Sequence, residues 1–207
     1  MRKIFVTGIG TGVGKTLVSA ILVEALKADY WKPIQAGNLD FTDSDVVKSL
    51  ITNDTSKIHN EKYRLSKPMS PHAAAKVDGI TISIKKISLP KTKNNIIIEG
   101  AGGLMVPLNK KELVIDMISL LNAEVVLVSS IYLGSINHTL LSIEALKHRK
   151  IKVSGIIFNG KPNLATETVI LKNSCLPLLG RINQEKSINK KSVLKYAKKL
   201  AHLFFSD

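Results

Sequence analysis

A single cysteine, Cys175, in 207 residues excludes an intrachain disulfide. No grouping of cysteine with histidine offers the spacing of a zinc site. Aromatic residues are only 5% of the chain. None is interleaved with the loop lysines (Lys85, Lys86, Lys91, Lys93, Lys110, Lys111, Lys190, Lys191) as a base-stacking nucleic-acid surface requires. No apolar run reaches the ~18 residues of a membrane span. Three apolar residues, Ile4 to Val6, separate Met1-Arg-Lys from Thr7, too few for the hydrophobic region of a signal peptide. Acidic side chains are also scarce, 16 against 30 Lys and Arg, giving a formal net charge of +14. These shortages point to the reducing cytoplasm, with neither membrane nor nucleic acid expected as a partner. The positive excess then reads as a lysine-rich solvated surface around a site for polyanionic ligands.

Glycine, by contrast, is concentrated where it has a use. Lys3-Ile-Phe-Val-Thr-Gly8-Ile-Gly10-Thr-Gly12-Val-Gly14-Lys15-Thr16 places four glycines in seven residues, directly after a short β-branched run. Leu17, Val18, Ile21, Leu22, Ala25 and Leu26 follow at helical spacing. Strand, glycine loop, Lys-Thr and helix form the phosphate-cradling arrangement, in which bare backbone N–H groups and a helix N-terminus face an anion. Lys15 would then stand between the β- and γ-phosphates, and the Thr16 hydroxyl would ligate Mg²⁺. The spacing is a variant one: the first glycine of G-x-x-x-x-G-K-[ST] would fall at position 9, which is Ile9.

The remaining chain alternates strand and helix signals. Tyr30 to Ile34 reads as one short strand, and Thr42-Asp43-Ser44-Asp45 as a capped helix start with acids in its first turn. Residues 53 to 68 read as a polar loop, and Ser70-Pro71 as the entry to a short helix. Asn95-Ile-Ile-Ile98 suits a strand buried on both faces. Glu99 at its carboxyl end lies where open α/β sheets place ligands, which makes it a candidate for Mg²⁺. Leu113 to Leu121 reads as a helix and Val125 to Val128 as another buried strand. Ser135 then opens a helix, Val153 to Phe158 is a strand, Thr166 to Leu171 a helix, and Leu176 to Gly180 a short strand or turn. The chain closes with Val193, Leu194, Ala197, Leu200, Ala201 and Phe204 on one helical face and Lys195, Lys198, Lys199 and His202 on the other. This predicts one domain over residues 1–207, a doubly wound α/β fold with a mostly parallel sheet and helices on both faces, of P-loop NTPase type.

Six stretches, taken together, resemble the dethiobiotin synthetase family. They are Thr7-Gly-x-x-Thr11-x-Val-Gly-Lys-Thr16, Lys32-Pro-Ile-Gln-Ala-Gly37, Ser70-Pro-His-Ala73, Glu99-Gly-Ala-Gly-Gly103, Leu133-Gly-Ser-Ile-Asn-His138 and Pro177-Leu-Leu-Gly180. They fall in the family's order and reach about residue 182. The resemblance implies an ATP-dependent ligase that joins 7,8-diaminononanoate, CO₂ and MgATP into dethiobiotin, ADP and phosphate. The route passes through a carbamate and its mixed anhydride with phosphate. It implies Lys15 and Lys32 as the catalytic cations, Lys15 on the phosphates and Lys32 on the carbamate. It also implies Mg²⁺ held by Thr16, Asp45 and Glu99. For ATP the implied contacts are Gly12, Val13, Gly14, Lys15, Thr16 and Leu17 in the loop, Glu99, Gly100, Ala101 and Gly102 after the isoleucines, Asn159 reading adenine, and Asn183. For the substrate they are Thr11, Lys32, Ala36 and Gly102, with the helix start Gly134, Ser135, Ile136 and Asn137 taking its carboxylate across a homodimer interface. Three positions depart from the family pattern. Gly10 stands where Asp is common, Ala36 replaces a hydroxyl residue, and Arg181-Ile-Asn183-Gln184-Glu185 lacks the usual Pro-rich run.

A competing reading is an ATP-driven switch of the related deviant P-loop group, acting on membrane or DNA. The +14 charge and the basic C-terminal helix favour it. Gly10 opposes it, since that group carries a signature lysine there. A small-molecule kinase, which would consume no CO₂, is a third.

Overall fold

The computed structural model describes residues 1–205, with side chains through His202, so the placement expected for Phe204 lies outside the described side chains. The elements run β1 (Lys3–Gly8), α1 (Lys15–Leu26), β2 (Asp29–Trp31), β3 (Ile34–Ala36), α2 (Asp43–Leu50), β4 (Ile58–His59) and β5 (Tyr63–Leu65). They continue with α3 (Pro71–Val77), β6 (Ile96–Gly103), α4 (Val114–Leu121), β7 (Glu124–Ser130), α5 (Ser135–His148), β8 (Val153–Asn159), α6 (Leu164–Ser174), β9 (Leu178–Ile182) and α7 (Lys190–Phe205). Seven strands form one sheet in the order β4-β2-β6-β1-β7-β8-β9, and every pairing in it is parallel.

The sheet is doubly wound, and the isoleucine run shows how. Ile96 and Ile98 point into a cluster completed by Phe5, Val125, Leu127 and Phe158 with α3, α4, α5 and α6. Ile97 points the other way, with Ile4, Val6, Val126 and Val128, into a cluster built with α1, α2 and α7. Strands buried on both faces read as unbroken apolar runs because alternate side chains serve different layers. The apolar side of α7 (Val193, Tyr196, Ala197 and Leu200, all buried) is spent on this second layer against α1. The stripe that suggested a membrane-seeking helix is therefore core. Among the described residues no helix is long and apolar enough to cross a membrane.

β1 is the central strand, with β6 on one side and β7 on the other. The chain leaves β1 toward β2 in one direction, and later β7 lies on the opposite side. Such a reversal opens a crevice beyond the carboxyl ends of the strands. The glycine loop, the residues following β2 and the end of β6 all arrive there.

Two local readings are corrected. Tyr30 to Ile34 is not one strand: it ends at Trp31, and Ile34 starts β3, which pairs with β5 in a separate two-stranded sheet. Pro33 lies between them with no N–H to give, while its carbonyl accepts from the backbone of Lys62 and Tyr63. Residues 53–68 are not wholly loop but carry β4 and β5, strands of two and three residues. Pieces this short show no periodicity.

Candidate active site

The loop after β1 needs its glycines at identifiable points. Gly12 and Gly14 have φ of +73° and +96°, and a Cβ on Gly14 would come within 2.2 Å of the Asn159 amide. Gly14 is also the N-cap of α1, so the first turn of that helix is left with free backbone donors. Lys15, the first helical residue, is buried and donates from Nζ to the Gly10 carbonyl at 2.8 Å. Burial pushes its ammonium down to about 8. The charges of Glu99 and Asp43 pull back in part, and Lys32 adds to the fall. An ammonium that burial makes this reluctant to stay charged is well suited to a polyanion.

Behind the loop lies a charged cluster. Glu99, 1% exposed, accepts at Oε1 from the Thr16 hydroxyl (2.9 Å) and the Lys32 ammonium (2.9 Å). Its Oε2 accepts from the hydroxyl of fully buried Tyr30 at 2.8 Å. Lys32 also pairs with Asp43 Oδ2 at 2.5 Å, and Thr16 donates toward Asp43 Oδ1 at 3.2 Å. Burial alone would lower the Lys32 ammonium. The charges of Glu99 and Asp43 and the hydrogen bonds to both outweigh that and hold it above the ordinary lysine value. Tyr30 is driven well above the ordinary phenol value by burial and then by the Glu99 charge, so it stays a donor. Two ammonium groups and two carboxylates make the cluster formally neutral, which is how so many ionised groups remain inside.

Asp45 is not in that cluster. Its Oδ2 accepts from the backbone N–H and the hydroxyl of Thr42, at 2.8 and 2.7 Å. In return its own N–H donates to Thr42 Oγ1, completing a capping box at the start of α2. The carboxylate that reaches Thr16 and Lys32 is Asp43, two residues earlier and so on a different side of the helix. Asp43, not among the residues nominated from the sequence, is the acid of this helix that joins the cluster, and a signal for that was present. Thr42-x-x-Asp45 is cap spacing, which assigns Asp45 to the helix end and leaves Asp43 free. Tyr30 gave no signal, since an aromatic residue in a strand reads as core.

Other expected positions gather around the same crevice. Val13 is buried; Leu17 is half-buried at the edge of the α1 layer. Gly100 packs so that a Cβ would lie 2.8 Å from Phe5, Ala101 is half-buried, and a Cβ on Gly102 (φ +72°) would stand 3.6 Å from Thr11 Oγ1. Thr11 and Gly102 thus face each other across the loop. Ala36, in β3, is half-buried and followed by Gly37, whose missing Cβ admits Pro68. Asn159 ends β8 and donates from Nδ2 to the Val13 carbonyl at 3.0 Å, which places it against the glycine loop. Asn183 follows β9 beside it; its N–H donates to the Tyr196 hydroxyl, which in turn donates to Glu185. Gly134 (φ +99°) caps α5, with Gly134 and Asn137 exposed, Ile136 half-buried and Ser135 fully buried. β7 pairs with β1, so this helix N-terminus opens at the same edge of the sheet as the glycine loop.

A family model described as an AAA domain matches residues 2–192. An ATP-dependent dethiobiotin synthetase of Christiangramia forsetii is 55% identical over 198 residues, 96% of this chain and 95% of the relative. That of Cytophaga hutchinsonii is 52% identical, covering 97% of each chain, and that of Chlamydia pneumoniae 44% identical over all of this chain and 93% of its own. Among solved structures, the cell division ATPase MinD of Pyrococcus furiosus superposes with a TM-score of 0.59 over 98% of this chain and 100% of its own, at 19% identity. A ParA family ATPase of Chlorobium tepidum gives 0.57, covering 96% and 99%, at 14% identity. At those identities the two share the fold alone, so they lend no support to a membrane or DNA switch. With its P-loop, its Lys32–Glu99 pair and relatives above half identity along nearly its whole length, the chain belongs to the ATP-dependent dethiobiotin synthetase family.

Proposed function

We propose that the crevice joining the glycine loop, Lys32, Asp43 and Glu99 is where this dethiobiotin synthetase turns 7,8-diaminononanoate, CO₂ and ATP into dethiobiotin, ADP and phosphate. The observation that carries this reading is a second buried ammonium, Lys32, held close to the phosphate-loop residues Lys15 and Thr16. A plain ATPase needs only the first. An enzyme that brings a carbamate up to a triphosphate must offset the repulsion of two anions, and a cation on each side does so.

In this reading the backbone of Gly12 to Thr16 and the start of α1 cradle the phosphates, with Lys15 between them. Lys32 faces the carbamate formed when one substrate amine captures CO₂. The carbamate oxygen attacks the γ-phosphorus and ADP departs. The second amine then attacks the carbamoyl carbon, closing the ring and expelling phosphate. Positioning and charge neutralisation carry these steps, and no side-chain nucleophile is required. Asn159 and Asn183, at neighbouring strand ends, are proposed to contact the base. Thr11, Ala36 and Gly102 line the substrate side; Ala36 offers only its backbone there.

For Mg²⁺ the proposed holders are the Thr16 hydroxyl, Asp43 and Glu99, a hard-oxygen set of the kind the ion prefers. That the two carboxylates already gather around an ammonium supports a cation-binding role. Mg²⁺ would supply charge neutralisation on the phosphates. The N-terminus of α5, Gly134 to Asn137, is proposed to bind the substrate carboxylate across a homodimer interface. Exposed Tyr132, Leu133 and Leu141 beside it supply apolar surface for a second copy. The reaction would proceed in the cytoplasm.

The test is phosphate release by purified protein with diaminononanoate and bicarbonate, omitting each in turn. Release that requires both, with dethiobiotin found by mass, supports the reading. ATP turnover indifferent to both refutes it.

A further inference from the structure

The two carboxylates offered to the metal are already engaged. Lys32 Nζ lies 2.5 Å from Asp43 Oδ2 and 2.9 Å from Glu99 Oε1, and the Thr16 hydroxyl reaches Glu99 Oε1 at 2.9 Å. Apart from Glu99 Oε2, which Tyr30 holds, the side-chain oxygens assigned to a divalent cation therefore converge on one ammonium or on one another. We propose that Lys32 is the resident counter-ion of the metal carboxylates: it and the divalent cation compete for Asp43 and Glu99, and metal loading releases Lys32 toward the anionic substrate. This rests on the metal and substrate roles proposed above and adds an order to them.

Three features of the site lead to competition rather than coexistence. The cluster is neutral with Lys32 in place, so a further doubly charged ion at the same oxygens would face an ammonium within a few ångströms, in a region sheltered from water. Like charges at that range disfavour each other strongly. Of the groups involved, Glu99 is fixed, because Tyr30 holds its second oxygen at 2.8 Å from within the core. Asp43 is tied to the first turn of α2. Lys32 alone is a compact charge on a flexible four-carbon stem, in the short link between β2 and β3. It is the group able to leave. It is also unable to remain buried without partners, since a desolvated ammonium needs compensating charge. An incoming carbamate is the anion that would take over that task.

The consequence is a sequence of events encoded in one side chain. Without metal, Lys32 neutralises the carboxylates and is withheld from substrate. With metal, the carboxylates change partner and the lysine becomes available beside the γ-phosphate. Substrate anion and metal then bind cooperatively although they share no atom.

Nucleotide-free protein and Mn²⁺ test this, with bound metal read from loss of the free-ion electron paramagnetic resonance signal. Lys32→Met is expected to bind Mn²⁺ at least ~10-fold more tightly than the unaltered protein, because a like charge has gone. Adding Asp43→Asn to that variant is expected to abolish the gain. Equal or weaker Mn²⁺ binding by Lys32→Met overturns the competition while leaving the metal site standing. Mn²⁺ binding insensitive to Asp43→Asn in either background overturns the metal assignment itself. Should Lys32→Met fail to fold, the unaltered protein labelled with ¹⁵N-lysine decides the matter. Its Lys32 Nζ resonance is expected to shift on titration with Mg²⁺ alone, and a resonance unmoved to saturation overturns the proposal.

Discussion

Binding of MgATP should draw protons from solution at alkaline pH, and Lys15 sets the amount. Burial lowers its ammonium from the ordinary 10.5 to about 8, and the nearby carboxylates offset only part of that. Phosphates packed around Nζ would restore the ordinary value or exceed it. Between those limits, binding converts a neutral amine into an ammonium. The uptake per site is then ~0.1 proton at pH 7, ~0.5 at pH 8 and ~0.9 at pH 9. Isothermal titration calorimetry in buffers of different ionisation enthalpy measures it directly, as the slope of observed heat against buffer enthalpy.

Linkage fixes the companion effect on stability. Below pH 8 Lys15 is charged both folded and unfolded. From about 8 to 10.5 the unfolded chain holds more protons, so stability rises with pH across that window, by up to about 3 kcal/mol. Lys32 acts in the opposite direction and elsewhere. Its folded value is raised, so its contribution is complete below about 10.5 and is lost only as pH climbs through the higher folded value. The two effects therefore do not cancel near pH 9. An uptake of zero between pH 8 and 9 would refute the reasoning, as would an uptake unchanged in a Lys15→Met protein that still binds nucleotide.

Asp43→Asn is expected to raise the Mg²⁺ concentration needed for half-maximal activity by ~10-fold or more, whereas Asp45→Asn should leave that requirement alone and lower the melting temperature by weakening the cap on α2; metal titrations and thermal denaturation of both variants check this. Lys32→Ala should cut turnover by ~10²-fold or more while a fluorescent ATP analogue still binds, because the removed charge serves the carbamate and not the nucleotide. Equal loss of both would make its role structural. Gly12→Ala meets open space and should cost only the left-handed backbone, about 1–2 kcal/mol. Gly14→Ala also pushes the Asn159 amide off the Val13 carbonyl and should weaken nucleotide binding in the same fluorescence assay.

Sequence alone determined the layered α/β architecture and the phosphate loop, and the reason is that both are local. The isoleucines of 96–98 and the valines around Leu127 announce doubly buried strands through composition. Gly12, Gly14, Lys15 and Thr16 are neighbours along the chain whose conformations and donors need no distant partner. Lys32 and Glu99 could be nominated only through the family pattern. By themselves they read as a lysine before a proline and an acid at a strand end. The tertiary structure decided which groups meet. Lys32, Asp43 and Glu99 come together from three segments up to 67 residues apart, and Tyr30 reaches Glu99 across 69. No periodicity encodes a contact between strand ends that become adjacent only when the sheet is ordered. The choice of Asp43 over Asp45 has the same origin. Two residues along a helix is a turn of about 200° around its axis, so one carboxylate stays with its own cap while the other reaches Lys32 and Thr16. Packing also spent the apolar face of α7 on the core, a fate that sequence leaves open because a stripe facing a sheet and a stripe facing a membrane are written alike.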